Sequence, residues 1–161
     1  MRIFTIGGYG FTEQSFTTAL ERAGITAFVD VRQRRGMRGS KYAFLNSIRL
    51  QHLLNDLGIK YVHARDLAPT SDVRSTQKSD DQLESVNKRD RMHLSSAFTK
   101  KYLEEVLDKF DPSGLIDALG DSQAVALFCV EGPPTACHRL LAAEHLLHLC
   151  GNEEPVEHLR P

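Results

Sequence analysis

The stretch from Ala124 to Leu149, AVALFCVEGPPTACHRLLAAEHLLHL, is the feature that most constrains the fold. Its first seven residues, Ala124 to Val130, are all apolar, which is typical of a strand buried on both faces of a sheet. Glu131 and a Gly-Pro-Pro turn follow, and Thr135 is a candidate N-cap for the helix that comes next. The stretch therefore predicts a buried strand, a loop and a helix N-terminus.

The rest of the chain alternates between short apolar runs and amphipathic segments. At 161 residues it is long enough for one ordinary core, so a single domain over 1–161 is expected. Alternating strands and helices indicate an α/β fold, a single-domain three-layer sandwich with a mainly parallel sheet of about five strands. The predicted strands are 2–6, 27–31, 59–64, 124–130 and 155–159, and the predicted helices are 12–23, 46–57, 98–110, 112–119 and one that begins near 135.

The segment from Pro69 to Ser96 differs from this pattern. It contains few large apolar residues and a balanced set of charges, so it buries little surface. We expect a polar mobile loop, or a lid, at about 69–96, with one polar helical segment around Asp81 to Arg91.

Composition limits the classes of function. The formal net charge is −1, from 20 Lys and Arg against 21 Asp and Glu, which argues against a globally basic nucleic-acid-binding protein. No apolar run approaches the roughly 20 residues that span a bilayer, and the first residues lack the layout of a secretory signal. A cytoplasmic protein without a membrane partner is expected, with its three cysteines as thiols.

One loop is strongly basic. The ten residues from Arg32 to Lys41 contain five cations and no acid, namely Arg32, Arg34, Arg35, Arg38 and Lys41. With glycines for backbone freedom, such a loop suits phosphate groups or a nucleic-acid backbone. A solvated loop is the alternative. The partner expected here is an anionic small molecule or nucleic acid.

Three further candidates follow predicted strands. Asp30 ends the second strand and His63 lies near the end of the third, at the sheet edge where parallel α/β folds bind ligands. Gly7 opens a glycine turn after the first strand. The alternatives are an ion pair or cap for Asp30, a packed side chain for His63 and a tight turn for Gly7. This turn lacks the Walker and dinucleotide patterns, so no cofactor is expected.

Cys137, His138 and Arg139 fall in the first turn of the last predicted helix. The helix dipole and the neighbouring Arg139 favour a thiolate, so Cys137 is a candidate nucleophile. Cysteine phosphatases need an arginine six residues after the nucleophile, and Ala143 stands there. That family is excluded. Glu131 is a candidate general acid or base, or a residue that orients the loop.

The cysteines and His138 have donor atoms suited to metals. Adjacent Cys and His residues rarely present both side chains to one ion, and no second pair with metal-ligand spacing completes four ligands. No metal site is expected.

Several motifs together resemble the domain of unknown function 488 family. They are TIGGYG, FVDVR, an Arg-rich loop leading to AFL, GIKYVHARDLAP and LFCVEGPPTACHRLLAAEHL, which span nearly the whole chain. Two loops depart from the family pattern, at Gly8-Tyr9-Gly10 and Leu67-Ala68-Pro69. The resemblance implies no established activity, and its motif positions are Gly7, Asp30, Arg32, Tyr61, Cys129, Glu131, Cys137, His138 and Arg139.

Two functions are compatible with these residues. In the first, an enzyme binds a phosphate-bearing substrate, a nucleotide or nucleic-acid component, through Arg32, Arg34, Arg35 and Arg139. Glu131 and His138 act as acid and base, Cys137 as a possible nucleophile, with Asp30, Gly7 and His63 nearby. In the second, the basic loop 32–41 binds nucleic acid or a nucleotide without turnover.

Overall fold

The computed structural model describes residues 1–87, 90–152 and 154–161. At its centre are five strands, β1 (Arg2–Ile6), β2 (Ala27–Asp30), β3 (Lys60–His63), β4 (Ala124–Phe128) and β5 (Glu157–Leu159). They form one sheet in the order β3-β2-β4-β1-β5, and every pairing is parallel. β4 lies in the middle with all five residues buried, as its apolar run predicts.

Six helices cover the two faces of this sheet in the described residues: α1 (Glu13–Arg22), α2 (Ser47–Asp56), α3 (Ser71–Leu83), α4 (Ser96–Glu105), α5 (Ser113–Leu119) and α6 (His138–Leu149). One core contains apolar residues of α1 and α2, such as Phe16 and Leu54, and the other contains residues of α3 to α6, such as Val73 and Leu146. The predicted three-layer α/β sandwich is confirmed.

Local signals set several boundaries. Thr12 caps α1, because its hydroxyl oxygen accepts a hydrogen bond from the backbone N–H of Ser15 at 3.1 Å. Gly24 and Gly58 follow α1 and α2 with φ of 64° and 69°, a left-handed conformation that suits glycine. Both helices therefore end where the sequence predicts.

The segment 69–96 differs from the prediction of a loop. It contains α3, a 13-residue helix that begins ten residues before the predicted helical segment. Thr70 caps it, and Val73 and Gln77 are its buried side chains. Because Gln77 is polar, the buried face lacks the apolar periodicity that identifies a packed helix in a sequence.

Two other boundaries also differ. α4 ends at Glu105, and a short 3-10 turn over Leu107–Lys109 replaces the rest of the predicted helix. Thr135 lies in a 3-10 turn over Pro134–Ala136, and Cys137 is the N-cap of α6. The hydroxyl of Thr135 donates to the carbonyl oxygen of Met92 instead of capping a helix.

The topology brings several loops together at the carboxyl edge of the sheet. α1 follows β1 on one face, whereas α6 follows β4, the strand beside it, on the other face. Loops that diverge in this way leave a ligand-binding crevice in open α/β sheets. The loops after β1, β2 and β4 therefore meet at one place.

The longest helix, α3, has 13 residues, or about 20 Å. Within the described ranges, no helix is long and apolar enough to cross a membrane.

Candidate functional site

Cys137 lies at the junction between the loop after β4 and α6. Its backbone is extended, with φ −141° and ψ 139°, and the helix begins at the next residue. The side chain is 2% exposed. Because the backbone of Cys137 is extended, the side chains of Cys137 and His138 do not take the angular spacing of consecutive residues in a helix. The two side chains come together instead.

His138 has its two ring nitrogens in different surroundings. Nε2 lies 3.1 Å from the carbonyl oxygen of Val31, which only accepts hydrogen bonds, so Nε2 carries the proton and donates it. Nδ1 lies 3.7 Å from the sulfur of Cys137. Because Nε2 donates to that carbonyl, Nδ1 is the ring nitrogen that faces the thiol and can exchange a proton with it.

Cys129 completes a buried group of three donor atoms. The two sulfurs and a ring nitrogen of His138 all lie within 4.8 Å of one another. The hydrogen bond with Cys137 and burial raise the pKa of Cys129 well above its ordinary value. Burial also opposes ionisation of Cys137, but the Cys129 hydrogen bond and the charge of His138 outweigh it, so the pKa of Cys137 is lowered. We call Cys129, Cys137 and His138 the thiol cluster.

Asp30 and Arg32 form a buried ion pair beside this cluster. Arg32 donates from Nε and Nη2 to the two carboxylate oxygens of Asp30, at 2.8 and 2.7 Å. Its third nitrogen, Nη1, donates to the carbonyl oxygen of Leu45, and the guanidinium lies 4.6 Å from the ring centre of Phe128. Asp30 is fully buried and Arg32 is 3% exposed, so this pair fixes the loop after β2.

Tyr61 links that ion pair to the basic loop. Its hydroxyl donates to Asp30 at 2.8 Å and accepts from Arg35 at 3.3 Å. Burial raises the pKa of Tyr61 to about 12, because the effect of Asp30 adds to it while Arg35 acts in the opposite direction. The basic loop therefore begins anchored to the sheet, and its exposed cations are Arg34, Arg38 and Lys41.

Arg139 points inward and holds the loop after β4. Its Nη1 and Nη2 donate to the carbonyl oxygens of Glu131 and Gly132, both at 2.6 Å, and the residue is 1% exposed. Gly7 packs on the same loop, where a Cβ would lie 2.3 Å from the carbonyl oxygen of Glu131. Neither Arg139 nor Arg32 turns its guanidinium group to solvent.

His63 and Glu131 complete the residues singled out from the sequence. His63 Nε2 donates to the carbonyl oxygen of Arg32 at 2.8 Å, so it braces the start of the basic loop. Glu131 is 6% exposed at the end of β4, and its negative charge is close enough to contribute to the raised pKa of Cys129. Glu131 therefore lies beside the cluster, whereas His63 lies beside the ion pair.

A segment of the chain lies over the turn that precedes Cys137. We call Arg91–Ser95 the covering segment. Arg91 donates to the carbonyl oxygen of Ala136 at 3.1 Å and pairs with Asp81 of α3 at 2.8 Å. Thr135 exchanges hydrogen bonds with Met92 and Leu94. The cluster is thus closed in this conformation.

The sequence argument missed three parts of this site. They are the Val31 carbonyl that orients His138, the covering segment, and Tyr102, whose ring packs against His138 with centroids 5.7 Å apart. Tyr102 is recognisable only as part of an apolar helix face, and a backbone carbonyl has no signature in a sequence. These contacts depend on the tertiary fold.

Comparisons with known proteins identify a family for this chain. Neither the curated proteins nor the solved structures contain a significant match to the chain. The profile of one family, described as "Domain of unknown function DUF488", matches residues 12–146, a span that contains β2, β3, β4 and the whole thiol cluster. The chain therefore belongs to the DUF488 family.

Proposed function

We propose that this protein is an enzyme that acts on a phosphate-bearing substrate, a nucleotide or a nucleic-acid component, at the carboxyl edge of its sheet. Cys137 is the nucleophile and His138 the base that takes its proton. The observation that carries this proposal is the 3.7 Å contact between Cys137 Sγ and His138 Nδ1, with Nε2 fixed by the Val31 carbonyl.

The remaining groups divide into two roles. The sulfur of Cys137 forms a bond to phosphorus as the ester or anhydride oxygen leaves, and His138 passes the thiol proton to that oxygen. Glu131, whose carboxylate lies beside the cluster, takes a proton from the water that then hydrolyses the sulfur–phosphorus bond. Asp30, Arg32, His63, Arg139 and Gly7 are positioning residues, since their polar or packed atoms bind the loops that surround the crevice.

The basic loop supplies the phosphate contacts. Arg34 and Arg38 are exposed, and Arg35 uses one nitrogen for Tyr61 while its side chain stays half-buried. Arginine is suited to phosphate because its planar fork donates two parallel hydrogen bonds. Val31, the residue before this loop, contacts His138 directly, so the loop starts next to the cluster.

Two conditions follow from the buried cysteines. The covering segment must move away for a substrate to reach Cys137, which is 2% exposed. The thiols must also remain reduced, which fits a cytoplasmic location, and Cys129 and Cys137 are free thiols in this structure.

The proposal is tested with a panel of nucleotides and phosphate esters. We use a Cys150→Ser background, because Cys150 is an exposed thiol outside the site. Cys137→Ser is expected to abolish turnover and the covalent adduct that mass spectrometry detects at Cys137. Arg34→Ala is expected to raise KM about tenfold or more, the value of a hydrogen bond to a charged group, with little effect on kcat.

Arg22→Ala is the matched control, because Arg22 is an exposed arginine in the last turn of α1. It should leave both constants unchanged. Turnover that survives in Cys137→Ser, or an absence of turnover on the whole panel, would contradict the enzymatic proposal.

The same exposed cations favour a second candidate, a nucleic-acid or nucleotide binding module without turnover. In that case Arg34→Ala weakens binding, and the affinity falls steeply as salt rises from about 50 to 200 mM. Affinity that does not depend on salt would exclude this candidate.

A further inference from the structure

The thiol cluster has the spacing of a metal site. Zinc bonds of about 2.3 Å to sulfur and about 2.0 Å to nitrogen, at tetrahedral angles, separate a sulfur from a nitrogen by about 3.5 Å. The distance from Cys137 Sγ to His138 Nδ1 is 3.7 Å, and all three donor atoms of the cluster lie within 4.8 Å. The adjacent Cys and His residues therefore do present both side chains to one point, contrary to the expectation from sequence.

The orientation of His138 supports the same conclusion. Histidines that bind metals usually donate their second ring N–H to a carbonyl or carboxylate, which fixes the tautomer and leaves the other nitrogen to the ion. His138 Nε2 donates to the carbonyl oxygen of Val31, and Nδ1 faces the sulfurs. This contact is independent of the spacing of the donor atoms.

The chemistry of the donors selects the class of ion. Thiolate and imidazole ligands prefer zinc and other thiophilic ions to magnesium or calcium. Two thiolates also neutralise a divalent cation, so the loaded cluster carries no net charge. This matters because Cys129, Cys137 and His138 are 7%, 2% and 8% exposed, and an unbalanced charge is costly in such a place.

We propose that Cys129 Sγ, Cys137 Sγ and His138 Nδ1 bind one thiophilic divalent cation of the zinc type, with a fourth coordination position left for water or another ligand. The site shares Cys137 with the proposed nucleophile and uses Cys129 as a direct ligand, whereas in the proposed function Cys129 only supports Cys137 through a hydrogen bond. Where the proposed function holds, the bound ion occupies the Cys137 sulfur, and the loaded protein is its inhibited form.

The test is a titration of the full chain, in the Cys150→Ser background and under reducing conditions, with Co²⁺ and then Zn²⁺. We expect one equivalent of Co²⁺, a sulfur-to-cobalt charge-transfer absorption, and its loss when Zn²⁺ displaces Co²⁺. Cys129→Ala should weaken binding by more than about 100-fold, because even loss of an outer partner of a ligand costs 10–100-fold.

A second measurement uses the chain without any substitution in the cluster. Zn²⁺ should protect Cys129 and Cys137, but not Cys150 of the unsubstituted chain, from alkylation. Undiminished binding in Cys129→Ala would overturn the proposal, as would a lack of protection at both buried cysteines.

The outcomes also separate this site from the proposed function. Turnover is measured on the metal-free Cys150→Ser protein, because Cys129→Ala also removes a hydrogen bond that favours the Cys137 thiolate. If turnover is absent while one metal ion binds, the enzymatic proposal fails and the metal site stands. If turnover is present and no ion binds, the metal site fails alone.

Discussion

At the scale of single residues, the loop after β4 is held by one glycine and one buried arginine. Arg139 binds the carbonyl oxygens of Glu131 and Gly132, and Gly7 packs against the same two residues. The geometry of the thiol cluster depends on this packing, because the loop runs from Cys129 to Cys137. Residues that never contact a substrate therefore determine where the thiols lie.

Gly7→Ala tests this packing. The added Cβ would lie 2.3 Å from the carbonyl oxygen of Glu131 and 3.2 Å from Nη2 of Arg139, and backbone atoms must shift to admit it. We expect the free energy of unfolding, measured in urea, to fall by about 1–3 kcal/mol. Gly114→Ala in α5, where a Cβ meets nothing within 4 Å, is the control and should not destabilise the protein. Equal stability of the two variants would refute the role assigned to Gly7.

At the scale of elements, α3 and the covering segment form a cap on the thiol cluster. Asp81 of α3 pairs with Arg91, and Gln77 accepts a hydrogen bond from the backbone N–H of Ser95 at 2.9 Å. These polar contacts hold the segment without a large apolar interface. Elements held in this way open at lower free energy than the core of a fold, so we propose that the cap is the part that opens.

Thr135→Val measures the contribution of the cap. The substitution keeps the shape of the side chain but removes the 2.6 Å hydrogen bond to Met92. Loss of this hydrogen bond should destabilise the closed cap by about 1 kcal/mol, which raises the population of the open cap about fivefold. The rate of alkylation of Cys137 should rise by the same factor. Thr17→Val removes a comparable hydrogen bond to Gln14 in α1 and should leave that rate unchanged. An unchanged rate in Thr135→Val would mean that the cap does not control access.

At the scale of the whole molecule, stability depends on a histidine in the edge strand. His158 of β5 has a lowered pKa, because it is partly buried and because Arg139 and Arg160 are positively charged. The unfolded chain therefore binds a proton at His158 more readily than the folded protein does. Well above about pH 6.5, the pKa of histidine in the unfolded chain, His158 does not affect the free energy of unfolding. As the pH falls through and below that value, protonation of His158 in the unfolded chain lowers the free energy of unfolding.

His158→Gln should make the free energy of unfolding less dependent on pH between about 7.5 and 5.5. Glutamine still offers a hydrogen-bond partner to Thr5, which lies 2.8 Å from Nδ1 of His158. Urea titrations of both proteins at about pH 8, where His158 is neutral in both states, give the reference values. Parallel pH profiles for the two proteins would show that His158 has no part in the acid sensitivity.

The sequence predicts the sheet well because its signals are local. Each signal lies within a few residues of the element that it determines. Examples are the apolar run of β4, the cap at Thr12 and the glycines that end α1 and α2. α3 was missed because its buried face contains Gln77, whose partners include Asp81 and Ser95. In the sequence alone, the polarity of α3 resembles that of a loop.

The sequence predicted which of these residues lie at the carboxyl edge of the sheet, but not where their side chains point. The carboxyl ends of parallel strands bring Asp30, Glu131 and Cys137 to one edge, as the sequence argument requires. The sequence does not determine where long side chains point. Arg32 and Arg139 were expected to bind a substrate, but Arg32 binds Asp30 and Arg139 binds backbone carbonyl oxygens. The convergence of Cys137 and His138 depends on one extended backbone residue.

The strand order has a consequence for how the chain folds. β1 pairs with β4 and β5, and β2 pairs with β4, so three of the four pairings join residues about a hundred or more positions apart. Loop closure over such distances is slow, because its entropy cost precedes the contacts that offset it. During synthesis on the ribosome, β1 cannot pair with a neighbouring strand until β4, which begins at residue 124, has been synthesised. The nascent chain therefore exposes the apolar side chains of Ile3, Phe4 and Ile6, which are buried in the folded protein, until β4 has been synthesised.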